Sequence, residues 1–79
     1  MSREEWIILL TQRLQELRKE SGMTQQQVAD AIQTTLRQYQ RFEKGEQKPG
    51  YDNLIKLADC FQVSMDYLAG RSDSKNTLP

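Results

Sequence analysis

The chain has no histidine and one cysteine, Cys60. A lone thiol closes no internal disulfide, and without histidine beside it there is no zinc site. A histidine-dependent catalytic triad is excluded too. No nucleophile–base pair, metal cluster or phosphate-cradling glycine loop is present, so neither enzymatic activity nor a cofactor or metal is expected. Long hydrophobic runs are also missing. The longest, Trp6 to Leu10, is five residues, far short of the ~20 that a membrane span needs. With no basic leader or small-residue cleavage site, the expectation is a cytoplasmic protein without a membrane partner. Net charge is absent as well: eleven Lys and Arg balance eleven Asp and Glu, and the sequence pI is about 6.2. That counts mildly against nucleic acid, although the distribution of charge matters more than its sum. Strand patterns, internal repeats and low-complexity tracts are not found.

What remains is a helical pattern. Seventy-nine residues, 37% hydrophobic and 28% charged, suit one folded domain that buries only about 60% of its unfolded surface. Ser2 and Glu5 make a Ser-x-x-Glu capping box that opens a first helix running to about Ser21, with Gly22 as its stop. Trp6, Leu10, Leu14 and Leu17 form its apolar stripe. Thr24 and Gln27 open a second helix to about Ile32, with Val28, Ala29 and Ile32 turned inward. Thr35 and Gln38 open a third, ending near Gly45. Pro49 closes a loop from Glu46 to Gly50. A fourth helix spans Tyr51 to Phe61 on Leu54, Leu57, Ala58 and Phe61. Ser64 caps a short fifth helix, Met65 to Ala69, stopped by Gly70. The fold class is all-α, a compact five-helix bundle over residues 1–70. Residues 71–79, polar and without period, are expected as a flexible C-terminal tail.

Chemistry concentrates between Thr24 and Lys44, read as two short helices joined by a tight turn. On the second of these, Arg37, Arg41 and Lys44 follow at spacings of four and three, so at about 100° per residue they form one stripe. Tyr39 and Phe42 fall on nearly the opposite side. From Leu36 to Lys48 four basic residues (Arg37, Arg41, Lys44, Lys48) stand against two acidic ones (Glu43, Glu46), a local excess of two. A helix anchored by two rings and basic on its outer face suits a negative partner, with duplex DNA the leading candidate.

From about Leu10 to Gly70 the chain resembles the lambda-repressor-like, Cro-like helix-turn-helix domains of the XRE family. The residues that carry the likeness are RLQELRKESGMTQQQVADAI, FEKGEQKP and NLIKLADCFQVSMDYLAG, in that order. The resemblance implies a sequence-specific transcriptional regulator, most simply a repressor, whose third helix enters the major groove. It places Leu36, Arg37, Gln38, Gln40 and Arg41 at the bases. Arg suits guanine and Gln adenine, while Leu36 offers only an apolar contact, as to a thymine methyl. Thr24, Gln25, Thr35, Lys44 and Lys48 fall at phosphates. Ala29 falls where the two helices cross, Ile32 and Tyr39 pack inside the corner, and Arg18 and Glu43 form a partly buried salt bridge.

The sequence departs from the family pattern at Gln33 and Gln62, which replace frequent glycines where the backbone turns left-handed, at roughly 1 kcal/mol each. Tyr39 replaces a smaller aliphatic residue. The resemblance further implies a homodimer on a palindromic operator. Trp6, Ile7, Ile8 and Leu9 are contiguous, and one helical stripe cannot bury them all, so some either close over the fifth helix or meet a second subunit. Ile55 and Tyr67 are further interface candidates. A protein-interaction module of the same fold, such as an antitoxin or anchoring subunit, is the alternative that zero net charge and the apolar N-terminus leave open.

Overall fold

The chain folds as five helices joined by short turns, seen in a computed structural model that describes residues 3–75. They are α1 (Arg3–Glu20), α2 (Gln25–Ala31), α3 (Leu36–Lys44), α4 (Tyr51–Phe61) and α5 (Met65–Leu68), with no strand among the described residues. Ser2, and with it the expected capping box of α1, lies outside that range, as do residues 76–79. The body measures 28 × 28 × 21 Å. No helix among the described residues is long and apolar enough to cross a membrane.

Local chemistry accounts for the helix starts. Thr24 Oγ1 accepts from the Gln27 N–H, and Gln27 Oε1 accepts from the Thr24 N–H at 2.8 Å, so both arms of this capping box form. At α3 only one arm forms. Thr35 Oγ1 accepts from the Gln38 N–H at 3.1 Å, but the Gln38 side chain returns no bond among the described residues. Ser64 Oγ caps α5 through the Tyr67 N–H.

The ends share one device. Each helix stops on a residue with positive φ, and the next N–H reaches back five residues to a carbonyl. Glycine fills this place at 22, 45 and 70, while Gln33 (φ 59) and Gln62 (φ 57) fill it at the ends of α2 and α4. Gln62 is partly offset by its own side chain, whose Nε2 donates to the Asp59 carbonyl at 2.8 Å. Gln33 has no such bond among the described residues. Gly45 is constrained twice, because a Cβ there would lie 3.1 Å from Thr11 Oγ1 on α1.

The core draws on every helix: Leu10, Leu14 and Leu17 from α1, Val28, Ala29 and neighbouring Ile32, Tyr39 and Phe42 from α3, Leu57, Ala58 and Phe61 from α4, and Tyr67 and Leu68 from α5. Truncating one of the fully buried leucines removes about 2–5 kcal/mol, much of what holds so small a domain together.

Two features differ from the sequence reading. Tyr67 is 7% exposed, a core ring that offers a second subunit no surface. The polar stretch from Arg71 is tied down as far as Lys75. Arg13, buried on α1, lays its guanidinium over the Tyr67 ring, 3.9 Å from the centroid. It donates from Nη1 to the carbonyls of Tyr67 and Ser72 and from Nη2 to Asp73 Oδ1. The Ser64 N–H donates to the Lys75 carbonyl at 2.8 Å, and Lys75 Nζ lies 3.2 Å from Glu20. An arginine paired with backbone carbonyls leaves no mark in a hydrophobic pattern, so the strap could not be read in advance.

Candidate nucleic-acid interface

The third helix divides into an inner and an outer side. Tyr39, Phe42 and Glu43 are buried. Arg37 and Lys44 are exposed, and Leu36, Gln38, Gln40 and Arg41 are half-buried along the outer side. Arg37, Gln40, Arg41 and Lys44, together with Glu46, line an open hollow. The side chains of Leu36, Arg37, Gln38, Arg41 and Lys44 make no hydrogen bond or ion pair with the rest of the described chain. The basic stripe read from spacing is therefore a single outward surface.

What fixes its direction is a charge turned the other way. Glu43 is 3% exposed. Arg18 grips it side-on, Nε to Oε2 at 2.6 Å and Nη2 to Oε1 at 3.3 Å. The Tyr39 hydroxyl donates to Oε2 and Gln25 Nε2 to Oε1. Burial by itself would push the carboxyl pKa up, but the donated bonds from Arg18, Tyr39 and Gln25 outweigh it and hold the group below the ordinary carboxylate range. The same contacts act on the partners. Burial, then the bond to Glu43, raises the Tyr39 phenol, and the bond to Glu43 raises the Arg18 guanidinium. Gln15 Nε2 adds a bond from α1 to the Glu43 carbonyl. Thus α1, α2 and α3 meet on one ionised carboxylate, and no buried side-chain polar atom there lacks a partner among the described residues.

The expected phosphate-side residues are arranged less uniformly. Thr24 and Thr35 sit exposed at the starts of α2 and α3. Gln25 is half-buried between α1 and α3, giving one N–H to Glu43 while its Oε1 accepts from Gln40 Nε2 at 3.2 Å. This pairing across two helices was not visible in the sequence. Lys44 is free of partners among the described residues. Lys48 is exposed, with its ammonium 5.8 Å from the Trp6 ring centroid.

Of the apolar N-terminal group, Trp6 packs against the core, Ile7 and Leu9 are half-buried, and Ile8 is 58% exposed. Ile55 is half-buried on α4. No cluster of three or more metal-ligating side chains occurs among the described residues.

The order of helices, the tight turn at Gln33 and the outward third helix are those of a helix-turn-helix domain. A family model described as helix-turn-helix matches residues 14–68, and the chain belongs to this family, in its lambda-repressor-like XRE branch. Among known proteins it is 42% identical over 62 residues to the transcriptional repressor RstR of the cryptic phage CTXphi from Vibrio cholerae, covering 78% of this chain and 55% of that one. It is 37% identical over 67 residues to the HTH-type transcriptional regulator AnsR of Bacillus subtilis, covering 85% and 58%. The chain spans about half the length of the curated relatives it matches. Its fold matches the crystal structure of the P22 c2 repressor protein in complex with a synthetic operator at a TM-score of 0.77, with 25% identity, over 81% of this chain and 97% of that one.

Proposed function

We propose that the protein is a sequence-specific, double-stranded DNA-binding transcriptional regulator, acting as a repressor, with α3 laid in the major groove. The observation that carries this reading is the outward stripe of Arg37, Arg41 and Lys44, held in place by Tyr39, Phe42 and the buried Glu43 behind it. The naming of RstR as a repressor and the operator complex of the P22 c2 repressor support it. Arg37 and Arg41 present paired donors to guanine, Gln38 has an unengaged amide for adenine, and Leu36 offers an apolar contact. Thr24, Gln25, Thr35, Lys44 and Lys48 serve the phosphates. One such unit reads few base pairs, so the protein acts on a palindrome as a homodimer, with Ile8 and its neighbours Trp6, Ile7 and Leu9, and Ile55, as the surface available for pairing. A cytoplasmic, non-enzymatic role without metal or cofactor goes with this reading.

Selection from a random duplex pool, followed by sequencing, tests the proposal. Enrichment of one motif, weakened by about 1–3 kcal/mol in Arg37→Ala or Arg41→Ala together with relaxed preference at one base position, is the expected result. Absence of enrichment at low salt would reject DNA reading in favour of a protein-interaction module of the same fold. Two inverted half-sites would support the dimer, and a single half-site would remove it.

A further inference from the structure

Resting on the DNA-binding reading above, we infer that Gln40 is a positioning residue that acts on the phosphate backbone through Gln25 rather than on a base. The argument starts at Glu43. A buried carboxylate can only accept hydrogen bonds, so the Gln25 amide must turn its nitrogen inward, as it does at 3.2 Å from Oε1. Its carbonyl oxygen is then left facing α3. There Gln40 Nε2 donates to it at 3.2 Å. Each amide orientation dictates the next, from the ion pair at the core to the helix surface. Gln25 is left with one N–H that no described residue takes up. With its oxygen occupied, Gln25 can meet a phosphate only as a donor. Without Gln40, that carbonyl loses its partner, the Gln25 amide is held by Glu43 alone, and the direction of its remaining N–H toward a phosphate is less well fixed. Gln40 thus sharpens a contact that carries no sequence information, although it sits on the helix that reads sequence.

The test uses Gln40→Met, which keeps length and helix propensity but cannot donate, in the wild-type and Gln25→Ala backgrounds. Binding is measured by fluorescence anisotropy on the selected duplex and on a random one. Gln40→Met should weaken both by the same factor, about 3–10-fold, the scale of one hydrogen bond. In the Gln25→Ala background the same change should add less than about twofold, because coupled residues are not additive. In the free protein, Gln40→Met should shift the side-chain amide resonances of Gln25 while the backbone spectrum stays native, a readout that does not require Gln25→Ala to fold. A loss confined to the selected duplex, undiminished loss in the Gln25→Ala background, or unmoved Gln25 resonances would overturn the inference alone. A wild-type protein that binds neither duplex would overturn it together with the DNA-binding reading.

Discussion

Replacing Arg18 with alanine asks what the carboxylate beneath the third helix is worth. Glu43 is almost fully buried, and Arg18 supplies two of its four side-chain hydrogen bonds as well as its counter-charge. Removing one partner of a buried pair typically removes 3–5 kcal/mol, because the other charge is left uncompensated. Here Arg18 is itself 18% exposed and Tyr39 and Gln25 remain as donors, so water entering the gap recovers part of that. The expected loss is roughly 2–3 kcal/mol at neutral pH. For a domain stabilised by roughly 0.05–0.15 kcal/mol per residue this is a large share, and it lowers the midpoint of thermal unfolding by about 10–20 °C.

The pH dependence separates this account from a simple packing defect. In the wild type the Glu43 pKa lies below its unfolded value. Its contribution is therefore present at neutral pH and lost as pH falls through the carboxylate range toward the depressed folded value. In Arg18→Ala the first two influences on Glu43 become burial, which raises its pKa, and a smaller set of donors. The folded pKa then rises above the unfolded one, and the destabilisation is present at neutral pH and relieved on acidification. The difference between the two proteins should narrow steadily from about pH 7 to about pH 4, followed by urea unfolding across that range. Arg18→Lys, which keeps the charge but not the side-on grip, should fall between them. A loss under about 0.5 kcal/mol would mean the pair behaves as a solvated surface bridge. A larger loss that does not change with pH would mean that Arg18 matters for its packing and not for its charge.

The turn at Gln33 gives a second expectation: Gln33→Gly should stabilise by roughly 0.5–1 kcal/mol in thermal melts, and Gln62→Gly by less, because it discards the bond to the Asp59 carbonyl. Arg13→Ala should destabilise by roughly 1–3 kcal/mol by taking the charged donor from the Tyr67 and Ser72 carbonyls and should speed proteolysis within residues 71–75, whereas Asp73→Asn, at a fully exposed side chain, should change neither. If Lys48 leaves the Trp6 ring for a phosphate, adding duplex should change Trp6 emission in the wild type and not in Lys48→Ala; identical responses would place Lys48 away from the backbone. Affinity should fall with salt, log K changing by roughly −0.9 per log unit for each phosphate neutralised, and Lys44→Ala should flatten that slope by about one such step.

The framework was legible because its signals are local. Both arms of the Thr24 and Gln27 box and the stop at Pro49 depend on a few neighbouring residues and formed where spacing placed them, while the left-handed turns at Gln33 and Gln62 formed where the family likeness placed them. The Arg18–Glu43 pair was carried by the family likeness rather than by any pattern in this chain, and its bond is present. What the sequence does not show depends on partners far away in it. Nothing beside the leucine stripe marks Arg13 until Tyr67 and Ser72, more than fifty residues on, supply the carbonyls to which it donates. Tyr67 looked free because a short helix gives no period from which to judge its inner side. Gln25 and Gln40 each suggested a contact with nucleic acid, and only the packing of two helices reveals that they hold one another.

The third helix keeps its two sides in separate accounts. Positions 39, 42 and 43 tie it to the rest of the molecule, while 36, 37, 38, 41 and 44 take no part in that bonding. On the DNA-binding reading proposed above, substitutions at 36, 37, 38 and 41 would alter which sequence is preferred, and at 44 how strongly any duplex is held, while the folding equilibrium hardly registers the change. If the domain reads DNA as proposed, new targets are open to its lineage one residue at a time, without passing through an unstable intermediate.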